Sequence, residues 1–217
     1  MTHTAEQSRS LTSYVPPHVL RRLAADGPPR TPYSEPVAGA VLLGDVRGFT
    51  RLTERMAAHG PDGVETLTAA MNRYFGGMID RIGDYGGEVV SFAGDALLAL
   101  WPDSGAGLDA ALEAAADCAL VLAGQDADVA AGLDARLQVR MAVAAGELSG
   151  LQVGRPSRQV YSCLMGGPLE RAAEAIEHAG AGEVAVDAAG WARLSAHADG
   201  HGHDDGAHVL TAMRRTE

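Results

Sequence analysis

The sequence predicts an α/β sandwich, with helices covering an antiparallel-rich sheet, and three observations lead there. Apolar residues make up 47% of the 217-residue chain and charged residues 21%, the balance of a chain that folds around a core. Apolar runs of strand length alternate with longer stretches whose apolar residues recur every three or four positions. The two runs within 88–101 are parted by a single Gly-Asp pair, which suits a two-residue hairpin and makes those strands antiparallel neighbours.

Residues 1–36 read as an N-terminal arm. "SYVPPHVLRRLAAD" (13–26) is a short helix opened by a proline pair, with Val19, Leu20 and Leu23 on one side, and "GPPRTPYSEP" (27–36) is a Pro-rich connector. "VAGAVLLGDV" (37–46) is a buried strand, followed after Gly48 by a helix. In 61–87, Val64, Leu67, Met71, Phe75, Met78 and Ile82 form the inner face of an amphipathic helix stopped by glycines. "EVVSFAGDALLALW" (88–101) is the hairpin.

Residues 107–123 form an Ala-rich helix with Leu108, Leu112, Ala115, Ala119 and Leu122 inward and Cys118 beside that face. Strands follow at 136–148 and 159–166, a helix opened by Pro168 at 168–179, and short strands at 182–187 and 208–213. This order is close to the ferredoxin-like plan, with the helices on one face of the sheet. The main domain spans 37–195. The remainder, 196–217, reads as a His/Gly-rich loop and a C-terminal strand. Its four histidines in "HADGHGHDDGAH" (197–208) fit an exposed, turn-rich loop better than a metal site.

Charge and composition exclude several functions. A net charge of −11 offers no basic face for nucleic acid or an anionic membrane. No apolar stretch approaches the ~20 residues of a membrane span, and the N-terminus lacks the apolar core of a signal peptide, so a cytoplasmic location is expected. Two cysteines, Cys118 and Cys163, make neither a disulfide framework nor a zinc site. All 17 basic residues are arginine, so a phosphate loop that needs a lysine is excluded.

Two acids stand out. Asp45 closes an apolar strand and Asp95 sits at a hairpin tip; if those strands are neighbours, the carboxylates meet at one sheet edge. Paired carboxylates on strand ends suit magnesium, a hard cation usually shared with water and phosphate. After Asp45, Gly48 lets backbone come close and the next helix offers N–H groups to an anion. Metal beside an anion cradle suits phosphoryl or nucleotidyl transfer. The same acids could equally be an ordinary turn and helix cap.

"GDVRGFTRLTERMAAHGPDGVETLTAAMNRYF" and "YGGEVVSFAGDALLALWP" resemble the catalytic domain of class III adenylyl and guanylyl cyclases, most of all the first cyclase domain of soluble, bicarbonate-responsive adenylyl cyclases. The resemblance runs from "YVPPHVL" near residue 14 to about residue 195. It implies that Asp45 and Asp95, with the Val46 carbonyl, hold two divalent ions, Mg or Mn. It implies further that the backbone at 47–50 (Gly48, Phe49, Thr50) holds the triphosphate of ATP or another nucleoside triphosphate, and that Arg140 contacts phosphates. Other family residues are missing. The adenine-reading lysine falls at Ser91 and a second base contact at Cys163, while the transition-state Asn and Arg fall at Glu170 and Glu174. Glu170, Glu174 and Glu177 share one helix face.

Family sites form between two domains, so the resemblance implies the metal-bearing half of a homo- or heterodimeric adenylyl cyclase. Two alternatives stay open: a catalytically inactive dimerisation or nucleotide-sensing module, and a cyclase for another nucleotide.

Overall fold

The computed structural model describes residues 15–27, 32–124, 137–155 and 159–214. In chain order the elements are α1 (Pro17–Asp26), β1 (Tyr33–Arg47), α2 (Phe49–Ala57), α3 (Pro61–Asp84), β2 (Glu88–Ala93), β3 (Ala96–Pro102), α4 (Leu108–Ala123), β4 (Gln138–Arg155), β5 (Gln159–Met165), α5 (Gly167–Ala175) with a 3₁₀ turn at Ile176–His178, β6 (Val184–Val186), α6 (Ala188–Leu194), β7 (Ala198–Gly202) and β8 (His208–Met213). The strands form one sheet in the order β2-β3-β1-β4-β6-β8-β7, with β5 paired to the far part of β4. Only β4 and β6 run parallel among the paired strands. The sheet is therefore antiparallel-rich, as the sequence predicts.

Helices cover both faces of this sheet, which corrects the expectation of a single covered face. Along β1, Ala40, Leu42 and Val46 pack with Leu52 and Met56 of α2, Met78 and Ile82 of α3, and Leu112, Ala115, Ala119 and Leu122 of α4. The alternate residue Val41 packs with Ala142, Ala144, Ala172, Ala175 and Ile176 on the other side, under α5 and its 3₁₀ turn. Val41 and Leu42 are both 0% exposed, so a central strand needs cover on each face. An uninterrupted apolar run such as "AVLL" carries that information.

Other boundaries also move. β1 begins at Tyr33, inside the stretch expected to be a connector, although Pro36 has no N–H to give a ladder. The register resolves this: β3 flanks β1 only from Gly39 to Asp45, so at Pro36 one side of the strand is an open edge while the other pairs with Ser149. β4 runs on to Arg155 to form a ribbon with β5. Val64, expected on the inner face of α3, is 51% exposed; the buried residues there are Gly63, Ala70, Met78 and Ile82. Part of the His-rich stretch expected as a loop is strand β7.

Helix α6 has no counterpart in the sequence prediction, because Gly190 interrupts an already short run. It is capped by buried Asp187, whose Oδ1 accepts from the Gly190 N–H at 3.1 Å while Oδ2 lies 2.6 Å from Arg171 Nε. At the opposite end of the sheet, Glu88 of β2, 6% exposed, ties α1 to the domain. His18 Nδ1 lies 2.9 Å from its Oε1 and Arg21 Nη2 3.1 Å from its Oε2. No helix among the described residues is long and apolar enough to cross a membrane.

Two measurements check this packing. Burial pushes the Cys118 thiol up to about 12, so at pH 8 it stays protonated and inert, whereas Cys163 is exposed. Thiol titration of the native protein should therefore count one reactive cysteine, and two after denaturation. Asp187→Ala removes a helix cap and the carboxylate partner of Arg171 together, and should cost about 2–3 kcal/mol in chemical denaturation.

Candidate functional site

The site is built at the C-terminal end of β1. Asp45 pairs in register with Ala96 of β3 on one side and with Arg140 of β4 on the other. One residue on, the Val46 N–H donates to the Asp95 carbonyl at 3.1 Å. Asp95 belongs to the two-residue turn between β2 and β3, where Gly94 takes φ 66°, a conformation a side chain would strain. That single hydrogen bond holds the backbone of the second acid against the strand end that carries the first.

The chain then turns through Gly48, at φ 88°, directly into α2. The Leu52 N–H bonds back to the Gly48 carbonyl at 3.1 Å. Donors of the first helical turn have no carbonyl four residues before them within the helix. Phe49 packs partly into the core and anchors this turn, while Thr50 is exposed and its carbonyl accepts from Thr53 Oγ1 at 2.7 Å. Carboxylates and a helix N-terminus therefore share one sheet end. A helix start favours anions, and carboxylates favour cations.

Asp45 has an arginine already in place. Arg140 Nε donates to Asp45 Oδ2 at 2.8 Å, and Arg47 Nε stands 3.8 Å from the same oxygen. Arg140 is also tied to the 3₁₀ turn: Nη1 donates to the Ile176 carbonyl at 3.4 Å and Nη2 lies 3.3 Å from Glu177 Oε1. The hydrogen bond to Asp45 is the main reason the Arg140 pKa is raised, burial acting the other way. Arg140, implied by the family resemblance to touch phosphate, thus holds an aspartate here. Glu177 was visible in sequence as the last member of an acidic helix stripe. Its use as a second anchor for Arg140 depends on the β1–β4 register, which the stripe does not encode.

Part of this acidic pair is left uncommitted by the fold. Oδ1 of Asp45 and the whole carboxylate of Asp95 make no hydrogen bond or ion pair among the described residues. Also among the described residues, no three histidine, cysteine or carboxylate side chains converge as a complete metal cage. Carboxylate oxygens are the ligand type that a hard divalent cation takes.

The remaining expected positions lie elsewhere. Ser91 is exposed on β2 at an irregularity of the β2–β3 register, opposite Leu98. Cys163 is exposed on β5 opposite Leu151 of β4, whereas the register carries Ser91 through Leu98 and Leu43 to Ala142 of β4. The chain does not bring these two together. Glu170 and Glu174 are exposed on α5 and make no ion pair among the described residues. Arg171 beside them is turned inward, to Asp187 and, through Nη2, to the Ala145 carbonyl at 2.8 Å. No basic side chain of α5 is left for a ligand on that face.

No family model matches the chain. Adenylate cyclase type 10 of Rattus norvegicus is 31% identical over 140 residues, 63% of this chain and 9% of that protein, so the chain spans under a tenth of this relative's length. An uncharacterized protein of Mycobacterium tuberculosis is 31% identical over 163 residues, 74% of this chain and 28% of its own length. Among solved structures, the adenylyl cyclase CyaB of P. aeruginosa superposes with a TM-score of 0.69 at 21% identity, over 84% of this chain and 98% of that one. The guanylate cyclase domain of RhGC from Catenaria anguillulae, solved in complex with GTP, gives 0.69 at 16% identity, over 84% and 100%. The chain is homologous to adenylate cyclase type 10 and has the fold of the class III adenylyl and guanylyl cyclase catalytic domains.

Proposed function

We propose that the chain is the metal-bearing half of a class III nucleotidyl cyclase site, making cyclic AMP and pyrophosphate from ATP when a complementary cyclase domain docks. The observation that carries this reading is the Val46–Asp95 hydrogen bond, which joins the two acid-bearing segments beside the start of α2. Asp45 and Asp95, with the Val46 carbonyl, would hold Mg or Mn. Divalent ions in such a site neutralise phosphate charge and make a ribose hydroxyl a better nucleophile. The chain's own part is to orient: the Gly48 turn and the first N–H groups of α2 receive the triphosphate, and the sheet end keeps the acids from moving apart.

The other half is supplied from outside. Ser91 and Cys163 offer no base-reading cation, and Glu170 and Glu174 put acids where the family resemblance implies a neutral hydrogen-bond donor and a positive charge at the transition state. The β4–β5 ribbon would supply the surface for that second domain. There Tyr161 is 59% exposed, Met165 54% and Val153 44%, with Tyr161 directly opposite Val153. Exposed apolar side chains on a projecting ribbon fit an interface.

The purified chain alone should give no cyclic nucleotide above background with ATP or GTP and Mn²⁺. Mixed with a cyclase domain that carries the Lys, Asn and Arg, it should turn ATP over, and Asp45→Ala should reduce that rate about 10²-fold or more. Glu174→Ala should stay within about twofold, the usual range for a surface change. If every mixture is inert while the domains bind each other, a non-catalytic dimerisation module is the correct reading. Tyr161→Asp should weaken domain pairing about tenfold or more in sedimentation velocity while leaving the far-UV circular dichroism unchanged.

A further inference from the structure

We propose that Arg140 is a resident counter-ion of Asp45 that a divalent cation must compete with, so that it is a positioning residue for the metal ligand. This rests on the reading of Asp45 as a metal ligand. The guanidinium is largely shielded, its side chain 14% exposed, and it is held by three acceptors: Asp45 Oδ2 at 2.8 Å, the Ile176 carbonyl at 3.4 Å and Glu177 Oε1 at 3.3 Å. Two of the three belong to the 3₁₀ turn after α5, on a different element from Asp45.

The arginine is fixed in register across the β1–β4 ladder, directly opposite the acid it neutralises. Its charge lies within hydrogen-bond distance of one ligand oxygen, where it stabilises the empty carboxylate and repels an approaching cation. It also fixes the orientation of Asp45, turning Oδ1 into the free oxygen. Metal affinity is thereby set by how firmly the 3₁₀ turn retains the guanidinium.

The test is titration of Mn²⁺ alone, followed by electron paramagnetic resonance, on the purified chain. Arg140→Met should bind Mn²⁺ about tenfold or more tightly than wild type, because a unit charge a few ångströms away is removed. Arg140→Lys, which keeps the charge, should remain near wild type, and Asp45→Asn should lose the ion. A merely structural role for Arg140 would weaken binding or leave it unchanged, never tighten it. If Asp45→Asn loses Mn²⁺ but Arg140→Met binds no more tightly than wild type, this inference fails and the metal reading stands. If Mn²⁺ binds wild type and Asp45→Asn alike, or binds neither wild type nor Arg140→Met, the metal reading itself fails and takes the inference with it.

Discussion

The antiparallel ladder between β1 and β4 runs without a break from Tyr33 opposite Gln152 to Arg47 opposite Gln138. Both strands are buried on two faces through their middle, so a slip of one residue would exchange the residues of the two cores and leave neither filled. The same register puts Arg140 opposite Asp45. Core packing and site electrostatics are thus fixed by a single alignment, and the hairpin acid Asp95 joins through β3, which pairs along the other side of β1.

Much of this was readable before any coordinates. The Gly94-Asp95 turn, the Ala-rich α4 and the strand at His208–Met213 appear where pattern places them, because each is defined by local chemistry: a hairpin turn, an apolar period, a short stretch with Val209, Leu210 and Thr211 in sequence. What pattern misses is non-local. Pro36 sits in a strand only because β3 ends short of it, and Val64 points outward although its spacing fits the inner face of α3, because the buried stretch of α3 there is at Gly63 and Ala70 instead. The second helical layer follows from burial on both faces of β1, and periodicity along one element cannot say what covers it.

The candidate site divides in the same way. Asp45, Gly48 and Asp95 stand out in the sequence by residue type beside glycine, and the fold gathers their segments at one sheet end. The partnership of Arg140 with Asp45, and the inward commitment of Arg171 to Asp187 and Ala145, are properties of cross-strand and helix–sheet contacts. An arginine read one residue at a time is simply basic; its availability is decided by the acceptors the fold brings to it. That distinction matters most in a chain whose every fixed positive side chain is arginine, since the guanidinium is easily absorbed into bidentate or multi-acceptor bracing.

Asp95 is held in the architecture by its main chain, through the carbonyl that accepts from Val46, while its carboxylate takes no part in the scaffold among the described residues. Scaffold and chemistry therefore reside in different atoms of one residue. An amino acid able to adopt the same turn would keep the hairpin, the strand order and any docking surface, while removing the carboxylate that the proposed function assigns to a metal ion. Selection for folding and selection for turnover can then drift apart at this position without conflict. Under the proposed function, passing from working subunit to silent partner would require no rebuilding of the domain.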